Sequence, residues 1–67
     1  MKFECDFVVR HDNGGLEVEE IRAFEAPDLP TAIERVETML TDEPSVVHKA
    51  NTVQIRQGNI VKWSRAV

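Results

Sequence analysis

The sequence predicts an α+β fold, a two-layer sandwich in which one helix packs on one face of an antiparallel four-stranded sheet. Two segments of alternating apolar and polar residues flank a pair of glycines near the N-terminus, and two more flank a Gly-Asn turn near the C-terminus. Between these hairpins lies one stretch with helical periodicity. The order is ββαββ, and burying one apolar sheet face against one apolar helix stripe is its simplest solution.

The first hairpin is predicted from period-two alternation. Lys2–Arg10 alternates over nine residues, as a half-buried strand does, and the Asn-Gly and Gly-Gly pairs that follow supply the positive φ of a tight turn. Leu16–Phe24 returns, but Val18 and Ile21 lie on opposite parities. A β-bulge near Glu19-Glu20 is the favoured explanation, and a partly two-sided strand is the alternative.

The helix is predicted from its cap and its apolar stripe. Asp28 is suited to accept hydrogen bonds from the free amides of the first turn, and Pro30 fits a turn that needs no N–H donor. Pro44 is expected to end the helix, because the residue before proline avoids the helical region. The stripe recurs at helical spacing over Leu29, Ile33, Val36 and Leu40.

The second hairpin is predicted over Thr52–Arg56 and Ile60–Val67, with its turn at Gln57-Gly58-Asn59. The first strand is expected near the centre of the sheet. The predicted core comprises the apolar residues on the inward parities, namely Phe3, Phe7, Val9, Val18, Ile21, Ile33, Val36, Leu40, Val53, Ile55, Val61 and Trp63.

Length and composition predict one small domain, residues 1–67, without a disulfide, metal or cofactor. Cys5 is the single cysteine and is expected to be a buried apolar residue. His11 and His48 have no partner at metal-ligand spacing. Because so short a chain buries little surface, a homodimer is expected more often than a monomer. The lone thiol and the lack of an apolar leader or long apolar run favour a cytoplasmic protein without a membrane span.

Charge is distributed unevenly along the chain. Residues 1–43 hold twelve carboxylates against four cations, a net −8, and residues 44–67 hold four cations and no carboxylate, a net +4. An acidic surface of this kind can attract a basic partner, and the alternative is a solvated surface that keeps the protein soluble. The candidate partner-binding residues are Glu17, Glu19, Glu34, Glu37, Asp42 and Glu43.

The basic second hairpin suggests a different class of function, a small nucleic-acid-binding or regulatory module. Its candidate residues are Lys49, Arg56, Lys62 and Arg65. The alternative is that these cations pair across the sheet with carboxylates at Glu4, Asp6, Glu17 and Glu19. A third possibility is a structural subunit that self-associates through a sheet edge or an open sheet face, where Val8 and Ile60 are expected to face solvent.

Catalysis is not expected, because no residue pattern supplies a nucleophile or a phosphate-binding loop. Ser45 and Ser64 lie outside any Gly-x-Ser-x-Gly turn, and the Gly14-Gly15 pair joins two strands rather than leading into a helix. Carboxylate pairs are abundant, but a domain of this size has little room for the dry cleft that a catalytic carboxylate needs.

The layout resembles the small accessory proteins of bacteriophages and mobile elements, including anti-CRISPR proteins that bind type I surveillance complexes. The resemblance implies a non-enzymatic inhibitor that masks a host protein or nucleoprotein, in the cytoplasm of a bacterial host. It spans most of the chain as a pattern of residue types, carried by Met1-Lys2, Glu20-Ile21-x-Ala23, Leu29-x-x-Ala32-Ile33-x-Arg35, Thr52-Val53-x-Ile55-Arg56 and Gly58-Asn59.

Overall fold

The fold is a four-stranded antiparallel sheet with one helix, which confirms the α+β class and the ββαββ order. The computed structural model of the chain describes residues 1–42 and 50–67. The sheet order is β2-β1-β3-β4, so the first strand is central, as expected. Glu43, Pro44, Ser45, His48 and Lys49 lie outside the described residues. The elements are β1 (Lys2–Arg10), β2 (Leu16–Glu25), α1 (Leu29–Asp42), β3 (Thr52–Gln57) and β4 (Ile60–Ala66).

Both hairpin turns use glycine where the backbone needs a positive φ. Gly14 has φ 88° and Gly58 has φ 62°, values that side-chain-bearing residues rarely adopt. In the first turn, the Gly14 N–H donates to the His11 carbonyl at 3.0 Å and the Gly15 N–H donates to Asn13 Oδ1 at 2.9 Å. The local turn chemistry predicted from the sequence is therefore confirmed.

Helix α1 begins where the predicted cap lies. Asp28 Oδ1 accepts a hydrogen bond from the Thr31 N–H at 2.9 Å, and hydrogen bonding from Thr31 lowers the pKa of the Asp28 carboxyl. Ala32 and Val36 are buried against the sheet. The other apolar residues on this side of the helix are partly buried and pack against the hydrophobic core, namely Leu29, Ile33, Met39 and Leu40.

The core lies between α1 and the sheet face formed by alternate residues of β1. Phe3 stacks on Phe24 with ring centroids 5.9 Å apart. The buried cluster comprises Phe3, Cys5, Phe7, Ala26, Ala32, Val36, Val53 and Ile55. Because strand residues alternate between faces, the even-numbered residues of β1 point to the opposite face, which we call the open face.

A bulge in β2 changes which apolar residues reach the core. Phe7 lies opposite Glu20 and Val8 lies opposite Val18, so Glu19 is the extra residue. The predicted bulge is confirmed, and it does place Val18 on the same face as Ile21. That face is the open face, because Ile21 lies opposite Asp6. The expectation that Val18 and Ile21 belong to the core is therefore wrong.

A second bulge, in β4, was not predicted. Ile55 lies opposite Trp63 and Arg56 lies opposite Val61, which leaves Lys62 without a partner. Trp63 stays beside the core, but Val61 moves to the open face and is half exposed, so its predicted core position is wrong.

Two further burial predictions differ from the structure. Val8 was expected to face solvent, but it is fully buried on the open face between Val18 and Thr52. Val9 was expected in the core and is only partly buried. Ile60 is exposed, as expected.

Candidate functional site

A network of charged side chains occupies the middle of the open face. The Arg56 guanidinium on β3 donates to Asp6 from Nε at 2.8 Å and from Nη2 at 3.1 Å. Nη2 also donates to Glu4 Oε2 at 2.6 Å, and Nη1 donates to the Gly58 carbonyl at 2.7 Å. Gln54 Nε2 donates to Asp6 Oδ2 at 2.8 Å. The network therefore joins the two central strands, β1 and β3, to the turn between β3 and β4.

The electrostatics of this network are those of a satisfied ion pair. Asp6 is only 2% exposed, and burial alone would raise the pKa of its carboxyl, but hydrogen bonds from Arg56 and Gln54 bring that pKa below its ordinary value. Hydrogen bonding to Asp6 and, more weakly, to Glu4 raises the pKa of Arg56. Asp6 and Arg56 therefore form a charged, hydrogen-bonded pair at neutral pH that links β1 to β3.

The candidate acidic residues lie at several places around the helix side of the molecule. Glu34 and Glu37 are exposed on α1, Glu19 is the bulge residue of β2, and Asp42 is the last residue of α1. Glu17 Oε2 lies 3.6 Å from His11 Nε2. Five of the six candidates are thus described and exposed.

The direction of α1 decides which of these carboxylates come together. Arg35 donates to the Glu25 carbonyl, and Arg22 Nη1 donates to Met39 Sδ at 3.4 Å. Later helix residues therefore meet earlier strand residues, so α1 runs antiparallel to β2. Asp42 consequently lies toward the end of β2 that carries Glu17 and Glu19.

Glu37 lies on the side of α1 that faces β4. Its Oε2 accepts a hydrogen bond from Arg65 Nη1 of β4 at 3.0 Å. Glu34 lies on the exposed surface of α1, outside that pair. The acidic candidates thus form a belt around α1 and the β2 edge rather than one compact patch.

The three candidate basic residues within the described part of the chain do not form an open stripe. Arg56 is held in the network, Arg65 is paired with Glu37, and Lys62 is exposed at the β4 bulge. Cross-strand pairing is confirmed for Arg56 with Glu4 and Asp6. Glu17 instead lies beside His11.

The only cysteine is buried and chemically protected. Burial of Cys5 next to the Asp6 carboxylate raises the pKa of its thiol to about 12. At pH 8 a thiol of ordinary pKa is partly ionised, so we expect Cys5 in the folded protein to react with a disulfide reagent about a thousandfold more slowly than in denaturant. Absorbance kinetics with and without guanidinium measure this ratio. Equal rates would contradict it.

Residues 1–42 and 50–67 lack two kinds of feature. No group of three metal-ligating side chains is brought together there. No helix in this part of the chain has the length and apolarity needed to cross a bilayer.

Comparisons with known proteins identify no relative of this chain. No family model, curated protein or solved structure matches the chain. The anti-CRISPR resemblance therefore stays a prediction.

The sequence predicted the pairing of Arg56 with Glu4 and Asp6 only as an alternative, and it predicted neither the burial of Asp6 nor the exposed apolar residues on the open face. Alternation places Asp6 on the face opposite Phe3 and Phe7, and an aspartate inside a strand is uncommon enough to suggest a specific partner. Arg56 was considered as a phosphate contact and also, correctly, as a partner for Glu4 and Asp6. The exposure of Val18, Ile21 and Val61 on the open face could not be predicted, because it depends on the positions of the two bulges.

Proposed function

We propose that this protein is a non-enzymatic binding protein whose acidic surface masks a basic surface on a partner protein or nucleoprotein. One observation carries the proposal: several exposed carboxylates form no ion pair with a neighbouring side chain. Glu19, Glu34 and Asp42 are exposed and form no ion pair within residues 1–42 and 50–67, whereas Arg56 and Arg65 are both bound to carboxylates.

The net charge of the chain and the position of these three carboxylates favour a basic partner. The whole chain carries −4, and Glu19, Glu34 and Asp42 lie around α1 and the β2 edge. A one-sided negative field raises the rate of encounter with a basic surface, and salt screens it over about 8–10 Å near physiological ionic strength. Binding through this surface should therefore weaken as salt is added.

The resemblance to anti-CRISPR proteins supplies the partner class within this proposal. A protein channel that holds nucleic acid is basic, so an acidic protein can occupy it by mimicking the charge of the phosphate backbone. The alternative, direct binding of nucleic acid through the second hairpin, has less support because the Arg56 guanidinium already donates to two carboxylates and a carbonyl.

Charge reversal within the acidic belt tests the proposal. Tagged protein is incubated with nuclease-treated bacterial lysate, and retained proteins are identified by mass spectrometry. We expect a stoichiometric partner that is released as ionic strength rises from about 0.05 M to about 0.5 M. The double variant Glu19→Lys/Glu34→Lys should lose that partner, because neither residue belongs to an ion pair needed for folding.

A matched variant separates this surface from net charge. Asp12→Lys/Glu25→Lys changes the total charge by the same amount at positions outside the acidic belt, and it should retain the partner. Equal retention by both variants would contradict the proposal. Binding of a fluorescein-labelled DNA or RNA 20-mer by the purified protein would instead support the basic hairpin.

A further inference from the structure

The open face carries an apolar strip along one edge strand. Leu16, Val18 and Ile21 of β2 are 55%, 52% and 54% exposed, and all three point away from the helix. Val61 of β4 adds a half-exposed apolar side chain on the same face. Beside the strip, Val8 of β1 is fully buried. So many large apolar side chains on one side of a small soluble domain indicate a contact surface.

The edges of the sheet are poorly suited to pairing with another strand. β2 and β4 are the two edge strands, and each contains a bulge with a charged extra residue, Glu19 in β2 and Lys62 in β4. Bulges and charges on edge strands are known to hinder edge-to-edge addition. A partner is therefore expected to contact the open face itself rather than extend the sheet.

The charge of the open face favours a second copy of the same chain. Apart from the bulge residues, the strands direct three cations and three carboxylates to this face, namely Lys2, Arg10, Arg56, Glu4, Asp6 and Glu25. The face is thus neutral in a protein whose net charge is −4. Two copies can therefore approach through this face without a net like-charge repulsion.

The area of the face is sufficient for a stable dimer. The molecule measures 35 × 27 × 15 Å along its principal axes, so its broad sides are the helix side and the open face. A standard interface buries about 800 Å² on each partner, which a face of these dimensions can supply. Dimerisation would also offset the small core of a 67-residue chain.

We infer that two copies stack open face to open face about a two-fold axis, with the β2 strips Leu16, Val18 and Ile21 in the buried centre. The helices then lie on the outside of the dimer. A two-fold contact uses the same patch on both copies, so each substitution in the strip is introduced twice. The acidic belt around α1 stays accessible, and the dimer presents it twice.

Sedimentation of the purified protein over a dilution series tests this arrangement without any partner, so its outcome is independent of the proposed function. We expect a dimer with a dissociation constant below about 10 µM. Ile21→Lys should weaken it at least about 100-fold, because two lysine charges enter an apolar contact. Ile60→Lys is the matched control, since Ile60 is 61% exposed but lies off the open face.

Circular dichroism establishes that each variant is folded, and Val18→Lys provides a second position in the strip. A wild-type monomer at hundreds of micromolar would overturn the inference, as would a dimer that survives both Val18→Lys and Ile21→Lys. Dissociation by Ile60→Lys alone would also overturn it, because it would place the contact elsewhere. Hydrogen exchange adds a check: the outer amides of β2 should stay unprotected in the dimer, whereas strand addition would protect them.

Discussion

Replacing Arg56 with methionine is expected to leave the Asp6 carboxylate buried without its cation and to destabilise the fold by about 3 kcal/mol at pH 7. Asp6 is 2% exposed and receives two hydrogen bonds from the guanidinium. The expected cost is at the lower end for a broken buried pair because Gln54 still donates to Asp6. Urea denaturation at fixed protein concentration measures the loss.

The control for Arg56→Met is Arg65→Met. Arg65 also forms an ion pair, with Glu37 at 3.0 Å, but both side chains are about half exposed. Such surface pairs contribute little, so this variant should remain within about 0.5 kcal/mol of the wild type. Equal losses for the two variants would show that burial of Asp6 does not decide the effect.

The pH dependence gives this prediction a second signature. In the wild type the pKa of Asp6 is lowered on folding, so its contribution to stability is present above the unfolded pKa of about 3.9 and is lost as pH falls through the folded pKa. In Arg56→Met, burial is no longer opposed by the guanidinium, which raises the folded pKa relative to the wild type. The deficit of the variant should therefore shrink on acidification from pH 7 toward about pH 3.5. A deficit that does not change with pH would contradict this account.

The predictions that succeeded depended on local sequence signals. The β1 alternation, the glycines with positive φ at Gly14 and Gly58, and the Asp28 cap each act within a few residues of the chain. A strand, a turn and a helix start are decided largely at that range. Their order then restricted the fold to a sheet with one covering helix, and the central position of β1 followed.

The predictions that failed depended on distant partners. Whether Val18, Ile21 and Val61 face the core depends on where bulges interrupt β2 and β4, and a bulge is defined by the pairing of two strands. One extra residue reverses the face of every residue beyond it. The Asp6–Arg56 contact, which the sequence predicted only as one alternative, joins positions 50 residues apart, and the β1–β3 register was needed to locate it.

The arrangement of charges in the folded protein consequently differs from their order along the chain. The division at residue 43 suggested an acidic half and a basic half, but folding places Arg56 against Glu4 and Asp6 and Arg65 against Glu37. What remains is a neutral open face and a helix side with exposed carboxylates. This arrangement, rather than the order of charges along the chain, is the basis of the two proposed contact surfaces.

Truncation of Phe7 to alanine is expected to remove most of the stability of the domain. Phe7 is fully buried at the centre of the core, opposite Val53, and the Arg22 guanidinium lies 6.0 Å from its ring centroid. Removing a buried phenylalanine side chain costs about 3–5 kcal/mol in lost burial and cavity formation. A 67-residue domain has a total of roughly 3–10 kcal/mol, so Phe7→Ala should be partly or wholly unfolded at 37 °C.

Two variants make the Phe7 measurement specific to the core. Ile60→Ala truncates an apolar side chain at an exposed site and should change the unfolding free energy by less than about 0.5 kcal/mol. Phe7→Leu keeps much of the volume and should give an intermediate loss, with a melting temperature between those of the wild type and Phe7→Ala. If Phe7→Ala lost less than about 1 kcal/mol, the site would have to collapse around the smaller side chain, and the packing of α1 on β1 described above would be wrong.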